Sequence, residues 1–437
     1  MRNRLRTQRS ISEARRQEAA GWLLFGVLLL LPLLATQSAS GQTYKVLYRF
    51  TDRNDGGTPE ASLLRDAEGN LYGTTYQGGA FNYGAVFKLD PNGKETTLRG
   101  FAGVDGMGSS SNLVRDDAGN LYGTTQQGGT PEGGGCWHGC GTVFKVDTAG
   151  KETVLHAFTA GADGGLPYAG LARDSDGNLY GTTFFGGDLS ACQGFGCGTV
   201  FKVDTAGKET VLYAFTGGAD GGYPQAGVIR DAEGNLYGAT RGDGDFSACR
   251  GGCGVVFKVD TAGNETVLYS FTGGADGAGP NEVIRDSAGN LYGTTVQGGI
   301  LRNCGSGSGC GTVFKLDPNG KETVLYSFTG AADGRYPSAG LTRDRAGNLY
   351  GVTAGGGNFR SLCQLDGCGV VFKVDRAGKE TVVHTFTDGA PSSGISPPGV
   401  ILDKGNLYGV FPDTGRACEY GCGLVFKITL AGSPLVF

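Results

Sequence analysis

The amino-acid sequence predicts an all-β fold, a seven-bladed β-propeller in which every blade is a four-stranded sheet. Three observations predict it: a repeat of about 57 residues, seven copies of that repeat, and apolar segments of strand length without sustained helical spacing. Repeated four-stranded units are typical of propellers, because one small sheet buries both of its faces only against neighbouring sheets. A linear β-solenoid is the competing architecture, but its turns are usually much shorter than this repeat.

Three short markers define the repeat, and each occurs seven times. The marker GNLYG surrounds Tyr72, Tyr122, Tyr180, Tyr237, Tyr292, Tyr350 and Tyr408. The marker VFK contains Phe87, Phe144, Phe201, Phe257, Phe314, Phe372 and Phe426. The marker of the form VLYxF ends at Phe50, Phe101, Phe158, Phe215, Phe271, Phe328 and Phe386. Glycine is the commonest residue of the chain, with 83 copies, and it recurs at fixed places in the repeat. That regularity indicates ordered turns and excludes a low-complexity chain.

One unit shows the order of its strands. An apolar segment ends at PYAGLARD (167–174), and SDGN then forms a tight turn. The second strand is NLYGTTF (178–184), and a long loop separates it from the third strand, CGTVFKVD (197–204). After the turn DTAG, the fourth strand is KETVLYAF (208–215). Each unit therefore has two tight turns at one end and two long loops at the other.

The first copy of the fourth-strand marker precedes all the other strands. YKVLYRF (44–50) follows the amino-terminal segment directly, whereas the last unit ends after its third strand, CGLVFKI (422–428). Pro434 cannot donate a ladder hydrogen bond, so the carboxyl-terminal residues make a poor strand. We therefore expect residues 44–50 to form the outer strand of the seventh blade and to close the ring. The alternative is that residues 434–437 complete this blade.

Residues 1–41 have the three parts of a signal peptide. Arginines precede an apolar run of about 15 residues (21–35), and small residues follow it. This run is shorter than the roughly 20 residues that span a bilayer. We expect cleavage after Gly41, which leaves residues 42–437 as one propeller domain without a membrane span. An uncleaved membrane anchor is the alternative.

The repeat also resembles a known family. The pattern GNLYGTTxxGG…GxVFKxDxxGKETVLYxF is similar to the GloVer tandem repeat of exported bacterial proteins, and the resemblance covers residues 44–437. It implies an exported or cell-envelope repeat protein. The family supplies no catalytic residues and no cofactor that could be transferred to this chain.

All twelve cysteines fall in the long loop between the second and third strands. They form six near pairs, which we interpret as disulfides because the count is even and the chain carries an export signal. The pairs are Cys136–Cys140, Cys192–Cys197, Cys249–Cys253, Cys304–Cys310, Cys363–Cys368 and Cys418–Cys422. Zinc is the alternative, but a tetrahedral site would need ligands from the loops of different blades.

Charged residues also recur with the repeat. Asp66, Asp90 and their equivalents precede the two tight turns, and Asp55 and its equivalents lie in the loop before the first strand. Calcium is one interpretation of these rings; the other is that each carboxylate accepts backbone N–H groups in its own turn. Arg65 and its equivalents precede the first set of aspartates, and we expect them to pair with those aspartates rather than to form an anion site.

The cysteine loops break the repeat and are therefore the predicted binding rim. Aromatic and arginine side chains on loops of a rigid scaffold suit a glycan, peptide or protein surface. The candidate rim residues are Tyr83, Trp137, His138, Phe195, Phe246, Arg250, Arg302, Phe359, Arg360, Arg416 and Tyr420. The alternative is that some of these aromatics cap the blade below them.

The composition excludes several classes of function. The net charge is −5 and no basic run exists in the mature part, which argues against a nucleic-acid partner. The chain has three histidines, and two of them, His156 and His384, occupy tyrosine positions of the repeat. No catalytic set, metal site or cofactor site is therefore predicted. We expect a secreted, periplasmic or cell-envelope binding or scaffold protein. The alternative is an extracellular propeller enzyme, such as a polysaccharide lyase or glycosidase, with paired carboxylates that sequence does not identify.

Overall fold

The computed structural model describes residues 42–51, 53–129, 136–244, 249, 251–300, 304, 307–359, 367–387, 398–412 and 422–431. The predicted signal peptide and residues 432–437 lie outside this set. One short 3-10 helix, Cys192–Gly194, occurs within it. Across the described ranges, no helix has the length and apolar character that crossing a membrane requires.

The described residues form thirty strands. The first is β1 (Thr43–Arg49). Blade 1 contains β2 (Leu64–Arg65), β3 (Leu71–Thr75), β4 (Ala85–Leu89) and β5 (Glu95–Gly100). Blade 2 contains β6 (Val114–Arg115), β7 (Leu121–Thr125), β8 (Thr142–Val146) and β9 (Glu152–Ala157). Blade 3 contains β10 (Ala172–Arg173), β11 (Leu179–Thr183), β12 (Thr199–Val203) and β13 (Glu209–Ala214). Blade 4 contains β14 (Ile229–Arg230), β15 (Leu236–Thr240), β16 (Val255–Val259) and β17 (Glu265–Ser270). Blade 5 contains β18 (Ala278–Pro280), β19 (Ile284–Arg285), β20 (Leu291–Gln297), β21 (Thr312–Leu316) and β22 (Glu322–Ser327). Blade 6 contains β23 (Arg335–Pro337), β24 (Thr342–Arg343), β25 (Leu349–Gly355), β26 (Val370–Val374) and β27 (Glu380–Thr385). Blade 7 contains β28 (Ile401–Asp403), β29 (Asn406–Phe411) and β30 (Leu424–Thr429).

These strands form seven separate antiparallel sheets, which confirms the seven-bladed β-propeller. Within blades 1 to 4 the strands are adjacent in chain order, from a short inner strand to a longer outer one, whereas the outer strand of blade 7 is β1. Blades 5 and 6 carry one extra short strand each, because β18 and β23 pair with the ends of the long strands β20 and β25. The two tight turns of a blade lie at one end of the ring, and its two long loops lie at the other, which we call the long-loop face.

The tight turns are held by aspartate side chains. Asn70 donates its backbone N–H and its side-chain amide to the two oxygens of Asp66, both at 2.8 Å, and the Tyr72 hydroxyl donates to the same carboxylate at 3.0 Å. The equivalent bonds recur at Asp116, Asp174, Asp231, Asp286 and Asp344. The second turn is similar, since the backbone N–H groups of Asn92 and Lys94 donate to Asp90. The predicted turn role is confirmed for these aspartates, whereas Asp403, the equivalent of Asp66 in blade 7, accepts from Arg65 of blade 1.

Phenylalanine rings connect each blade to the next. The ring at the end of one outer strand packs edge-on against the ring in the third strand of the following blade, with centroids 5.0 to 5.5 Å apart. The third-strand ring also covers a glycine of its own blade: a Cβ on Gly73 would lie 2.7 Å from the Phe87 ring. The second glycine of GNLYG therefore makes room for the core aromatic ring.

The ring is closed by the amino-terminal strand, as the sequence predicts. Strand β1 pairs antiparallel with β30, with Tyr44 opposite Ile428 and Arg49 opposite Leu424. Phe50 continues the phenylalanine contacts into blade 1, where its ring lies 5.0 Å from that of Phe87. On the other side, the Tyr44 ring stacks on His384 of blade 6 at 4.1 Å.

Candidate functional site

Four of the predicted disulfides lie within the described residues. Each joins two cysteines of one long loop: Cys136–Cys140, Cys192–Cys197, Cys249–Cys253 and Cys304–Cys310. Cys368 and Cys422 are also disulfide-bonded, and their predicted partners Cys363 and Cys418 fall outside the described set. Disulfides of this kind persist in an oxidising environment, such as the extracellular space or a periplasm.

The disulfides support the contact between neighbouring blades. The second cysteine of each pair is buried, and its carbonyl accepts a hydrogen bond from the next blade. For example, the Leu166 N–H donates to Cys140 at 2.7 Å and the Tyr223 N–H donates to Cys197 at 2.8 Å. A local disulfide thus fixes the loop on which the following blade rests.

The structure describes five of the predicted rim residues, and all five lie on the long-loop face. Trp137 is 91% exposed and Phe195 is 61% exposed, while His138 is exposed and Tyr83 and Phe359 are each 40% exposed. The other six, Phe246, Arg250, Arg302, Arg360, Arg416 and Tyr420, lie outside the described residues.

Trp137 and Phe195 belong to one groove between blades 2 and 3. It has a volume of about 640 Å³ and is lined on one side by Trp137 and on the other by Phe185, Leu189 and Phe195, with Leu166 also in its lining. The Cys136–Cys140 and Cys192–Cys197 disulfides lie in the two loops that carry these side chains. An exposed apolar groove between loops that are held by disulfides is a feature of binding surfaces.

Tyr83 and Phe359 have neighbours that indicate a packing role instead. The Tyr83 ring lies beside the loop of blade 2, where a Cβ on Gly103 would be 3.3 Å from it. The Arg335 guanidinium lies 5.9 Å from the centre of the Phe359 ring. The rim aromatics therefore divide into groove residues and residues that pack on an adjacent loop.

The arginine pairing differs from the expected pairing with the adjacent aspartates. Each arginine lies over the tyrosine ring of the preceding blade, as Arg115 does over Tyr72 at 5.9 Å, and Arg65 pairs with Asp403 of blade 7. The other arginine–tyrosine pairs are Arg65–Tyr408, Arg173–Tyr122, Arg230–Tyr180, Arg285–Tyr237 and Arg343–Tyr292. Successive side chains of a strand point to opposite faces, so an arginine beside an aspartate faces the neighbouring blade.

The loop aspartates and the two strand histidines also have structural partners. Asp55 accepts hydrogen bonds from the Thr51 N–H at 2.9 Å, the Thr51 hydroxyl at 2.6 Å and the Tyr48 hydroxyl at 2.9 Å. His156 packs against Phe158 at 4.7 Å and contacts Asp163, and His384 stacks on Tyr44. Both histidines therefore pack against aromatic rings at a position where other units have tyrosine.

Sequence reasoning missed a cavity on the axis of the ring. It has a volume of about 350 Å³ and is lined by residues from all seven blades. Its charged lining residues are Glu60, Glu282 and Arg241, and Tyr168 and Asn281 also face it. A concave site of this size is typical of small-molecule binding.

One position of the repeat supplies much of the variable lining. It precedes the inner strand of each blade and holds Glu60, Ser110, Tyr168, Gln225, Asn281, Ser338 and Pro398 in successive blades. A second variable position comes two residues after the threonine, alanine or valine that follows the GNLYG marker; its member in blade 4, Arg241, lines the cavity, and its other members are Tyr76, Gln126, Phe184, Val296, Ala354 and Pro412. Side chains at the two positions contact each other within a blade. Arg241 donates to Gln225 at 2.6 Å, Gln126 donates to Ser110, and the Phe184 and Tyr168 rings lie 5.2 Å apart.

The backbone beside this cavity is strained. Thr58, Leu166, Tyr223 and Tyr336 have φ between 51° and 55°, and each directly precedes a proline. A non-glycine residue in this region costs about 1–3 kcal/mol and such strain clusters at functional sites. A comparison of the seven repeats could have revealed the site, because the residue type varies just after these prolines.

The surroundings of the two cavity glutamates shift the pKa values of their carboxyl groups. Burial raises the pKa of Glu60 to about 7 and also raises the pKa of Glu282. Within the described part of the chain, neither carboxylate has a hydrogen-bond or ion-pair partner. Perturbed groups in a cleft are candidates for a functional role.

The sulfur atoms of the four described disulfides are bonded in pairs and are not thiolate ligands for a metal. Among the described residues, one group of three potential ligands occurs, Cys192, Cys197 and Asp243. Its two sulfur atoms are bonded to each other and so are not thiolates.

Comparisons with solved structures give likenesses of fold alone. The chain is similar to a gluconolactonase from Xanthomonas campestris, with 14% identity, 90% of this chain and 91% of that chain covered, and a TM-score of 0.42. It is also similar to the PQQ-bound form of an aldose sugar dehydrogenase from Streptomyces coelicolor, with 11% identity, 89% and 98% covered, and a TM-score of 0.44. A luciferin-regenerating enzyme gives 12% identity, 90% and 96% covered, and a TM-score of 0.43.

Sequence comparison identifies the family. No curated protein matches the chain. The model of the Gloeobacter/Verrucomicrobia repeat matches residues 33–195 and 190–421, which together include most of the chain and all seven copies of the GNLYG marker. The chain therefore belongs to the Gloeobacter/Verrucomicrobia repeat family.

Proposed function

We propose that this protein is exported by the signal peptide at residues 1–41 and that residues 42–437 act as one extracellular or cell-envelope binding module. The groove between blades 2 and 3 is the observation that carries this proposal. Its wall residues Trp137 and Phe195 are among the most exposed large apolar side chains of the described residues. Keeping such side chains in water has a cost that a binding partner would remove.

The lining of the groove indicates the kind of partner. Leu166, Phe185 and Leu189 add aliphatic and aromatic surface to Trp137 and Phe195. A surface of this kind fits the apolar side chains of a peptide or protein segment better than it fits a hydroxyl-rich glycan. Because aromatic anchors in a central pocket contribute most of the energy of an interface, we assign these roles to Trp137 and Phe195.

The first test identifies the partner. Peptide, protein and glycan arrays are probed with the oxidised protein, and the peptide or protein arm is expected to give the specific signal. Replacing both Trp137 and Phe195 with alanine is expected to weaken the captured interaction at least about tenfold, because buried aromatic anchors contribute about 2 kcal/mol or more.

The control for that variant is Val104→Ala. Val104 is 82% exposed in the loop before the inner strand of blade 2, and it is outside the groove lining. It should bind as the unaltered protein does. Equal binding by all three proteins would contradict the groove as the site, provided that their melting temperatures agree.

The alternative function, an extracellular enzyme, is favoured by one observation. Glu60 and Glu282 face the axial cavity, and a carboxyl whose pKa lies near 7 suits general acid–base chemistry. Specific hydrolysis or elimination of a polysaccharide, abolished by Glu60→Gln, would support this alternative over the binding module.

A further inference from the structure

The axial cavity has features of a ligand site that are separate from the rim groove. All seven blades contribute to its lining, so the cavity exists only in the closed ring. Its volume of about 350 Å³ suits a molecule of the size of an amino acid or a sugar. The groove between blades 2 and 3 shares no lining residue with it.

The lining varies where the rest of the repeat does not. Positions that build the blades, such as the third-strand phenylalanine, recur in all seven units. The cavity position instead changes from Glu60 in blade 1 to Tyr168 in blade 3 and Gln225 in blade 4. A position that only supported the blade would be expected to repeat, so the variation points to recognition of one asymmetric ligand.

The charges of the cavity are distributed around the ring. Glu60 is in blade 1, Arg241 follows the second strand of blade 4, and Glu282 is in blade 5. Arg241 donates to the neutral amide of Gln225. Among the described residues, no opposite charge pairs with any of the three side chains. Arg241 is exposed, and the two glutamates are half-buried. A charge that is partly removed from water without a partner carries a cost, and a ligand could supply that partner.

Two tyrosines lie in the neighbourhood of the first carboxylate. Tyr76 follows the second strand of the same blade as Glu60, and the Glu60 carboxylate contributes to the raised pKa of its phenol. Tyr168 lines the same cavity and also acts on Tyr76. A carboxylate near aromatic faces is a favourable environment for an ammonium group.

The second carboxylate lies among small residues of the neighbouring blades. Its equivalents in blades 3, 4, 6 and 7 are glycines, and a Cβ on Gly340 would lie 3.1 Å from the Glu282 side chain. Glu282 is therefore the large acidic side chain in a ring of small residues. It can pair with a positive group that enters along the axis.

We propose that the axial cavity binds a basic amino acid, a small molecule with two ammonium or guanidinium groups and one carboxylate. In this arrangement Glu60 pairs with the α-ammonium group, Glu282 pairs with the side-chain ammonium or guanidinium group, and Arg241 pairs with the carboxylate. The two acidic residues and one basic residue of the cavity match the single net positive charge of such a ligand. Charge-assisted hydrogen bonds of this kind are shorter and stronger than neutral ones.

Titration calorimetry with L-lysine and L-arginine tests the proposal on the oxidised protein. Norleucine, which lacks the side-chain ammonium group, and lysinamide, which lacks the carboxylate, are the matched probes. We expect binding of lysine or arginine, and about 10- to 100-fold weaker binding of both analogues.

The variants assign each role. Glu282→Gln should weaken lysine binding by a similar factor and leave norleucine binding unchanged. Arg241→Gln should also weaken lysine binding, but it should leave the binding of lysinamide unchanged. Glu68→Gln is the control, since Glu68 is exposed in a tight turn at the other end of the ring. Trp137→Ala should leave lysine binding unchanged, so a failure of the rim proposal is distinguishable from a failure of this one.

Three results would overturn the proposal. One is the absence of binding heat and of a rise in melting temperature with both basic amino acids. Another is equal binding of lysine, norleucine and lysinamide. The third is lysine binding that neither Glu282→Gln nor Arg241→Gln weakens, although both variants keep the melting temperature of the unaltered protein.

Discussion

Deleting residues 42–50 is expected to cause a large loss of melting temperature. Strand β1 pairs along its whole length with β30, and its removal leaves the backbone groups of a central strand unpaired at an exposed edge. The deletion also removes Phe50, which is 2% exposed between blades 7 and 1. Because the ring closes through this strand, blades 1 and 7 lose their connection.

Point variants make the same test without a change in chain length. Phe50→Ala is expected to cost about 3–5 kcal/mol in the free energy of unfolding, as is usual for a buried phenylalanine. The matched control is Phe101→Ala, at the same position of blade 1, where the ring is also fully buried. Denaturant unfolding should give similar losses for the two variants. A negligible loss at Phe50 beside a large loss at Phe101 would show that β1 is not part of the closed ring.

The stability of the ring is expected to fall as the pH rises from 5 to 8. In six blades, burial raises the pKa of the glutamate at the start of the outer strand. The negative charge of an aspartate in the loop before the first strand of the blade raises this pKa further. For Glu265 the pKa rises from 4.5 to about 7, and Asp220 contributes. One oxygen of its carboxylate is buried without a hydrogen-bond partner within the described residues.

The direction of this dependence follows from proton linkage. A carboxyl whose pKa is raised in the folded state binds more protons there than in the unfolded state. The stability that Glu265 contributes to the fold is complete below its unfolded pKa of 4.5, and this stability is lost as the pH rises through about 7. The turn aspartates act oppositely at lower pH, because hydrogen bonds outweigh burial and lower the pKa values of Asp66, Asp116, Asp174, Asp231, Asp286 and Asp344 below 3.8. We therefore expect maximal stability near pH 5.

Thermal unfolding between pH 5 and pH 8 measures this effect. Glu265→Gln should raise the melting temperature at pH 8 and reduce its change with pH, whereas Glu233→Gln, in an exposed turn of the same blade, should alter neither. A melting temperature that is constant or increases over this range would contradict the assignment of buried, protonated glutamates between blades.

Much of the fold could be predicted because each blade repeats the same local signals. The residues YKVLYRF match the fourth-strand marker, and this match alone predicted the closure through β1. The disulfides were predictable because each pair lies in one loop. The arginine partners were not, since Arg115 is next to Asp116 in sequence but its side chain lies over Tyr72 of the preceding blade.

The candidate sites were only partly predictable. Trp137 and Phe195 stand out as aromatics in the loops that break the repeat, but their shared groove depends on the contact between two blades. Glu60 and Arg241 are far apart in sequence and meet only because the ring brings all inner segments to one axis. The repeat pattern contained a signal for the cavity in the variable position after each proline, but no local motif marked it.

We propose that the long-loop face binds the partner of this protein. Photo-crosslinking of a peptide or protein found in the array experiment, followed by peptide mapping, tests it most directly. We predict cross-links to the loops at residues 136–140, 159–166 and 185–195, which form the groove between blades 2 and 3. Cross-links confined to the tight turns at the other end of the ring, such as residues 66–70 and 90–94, would contradict it.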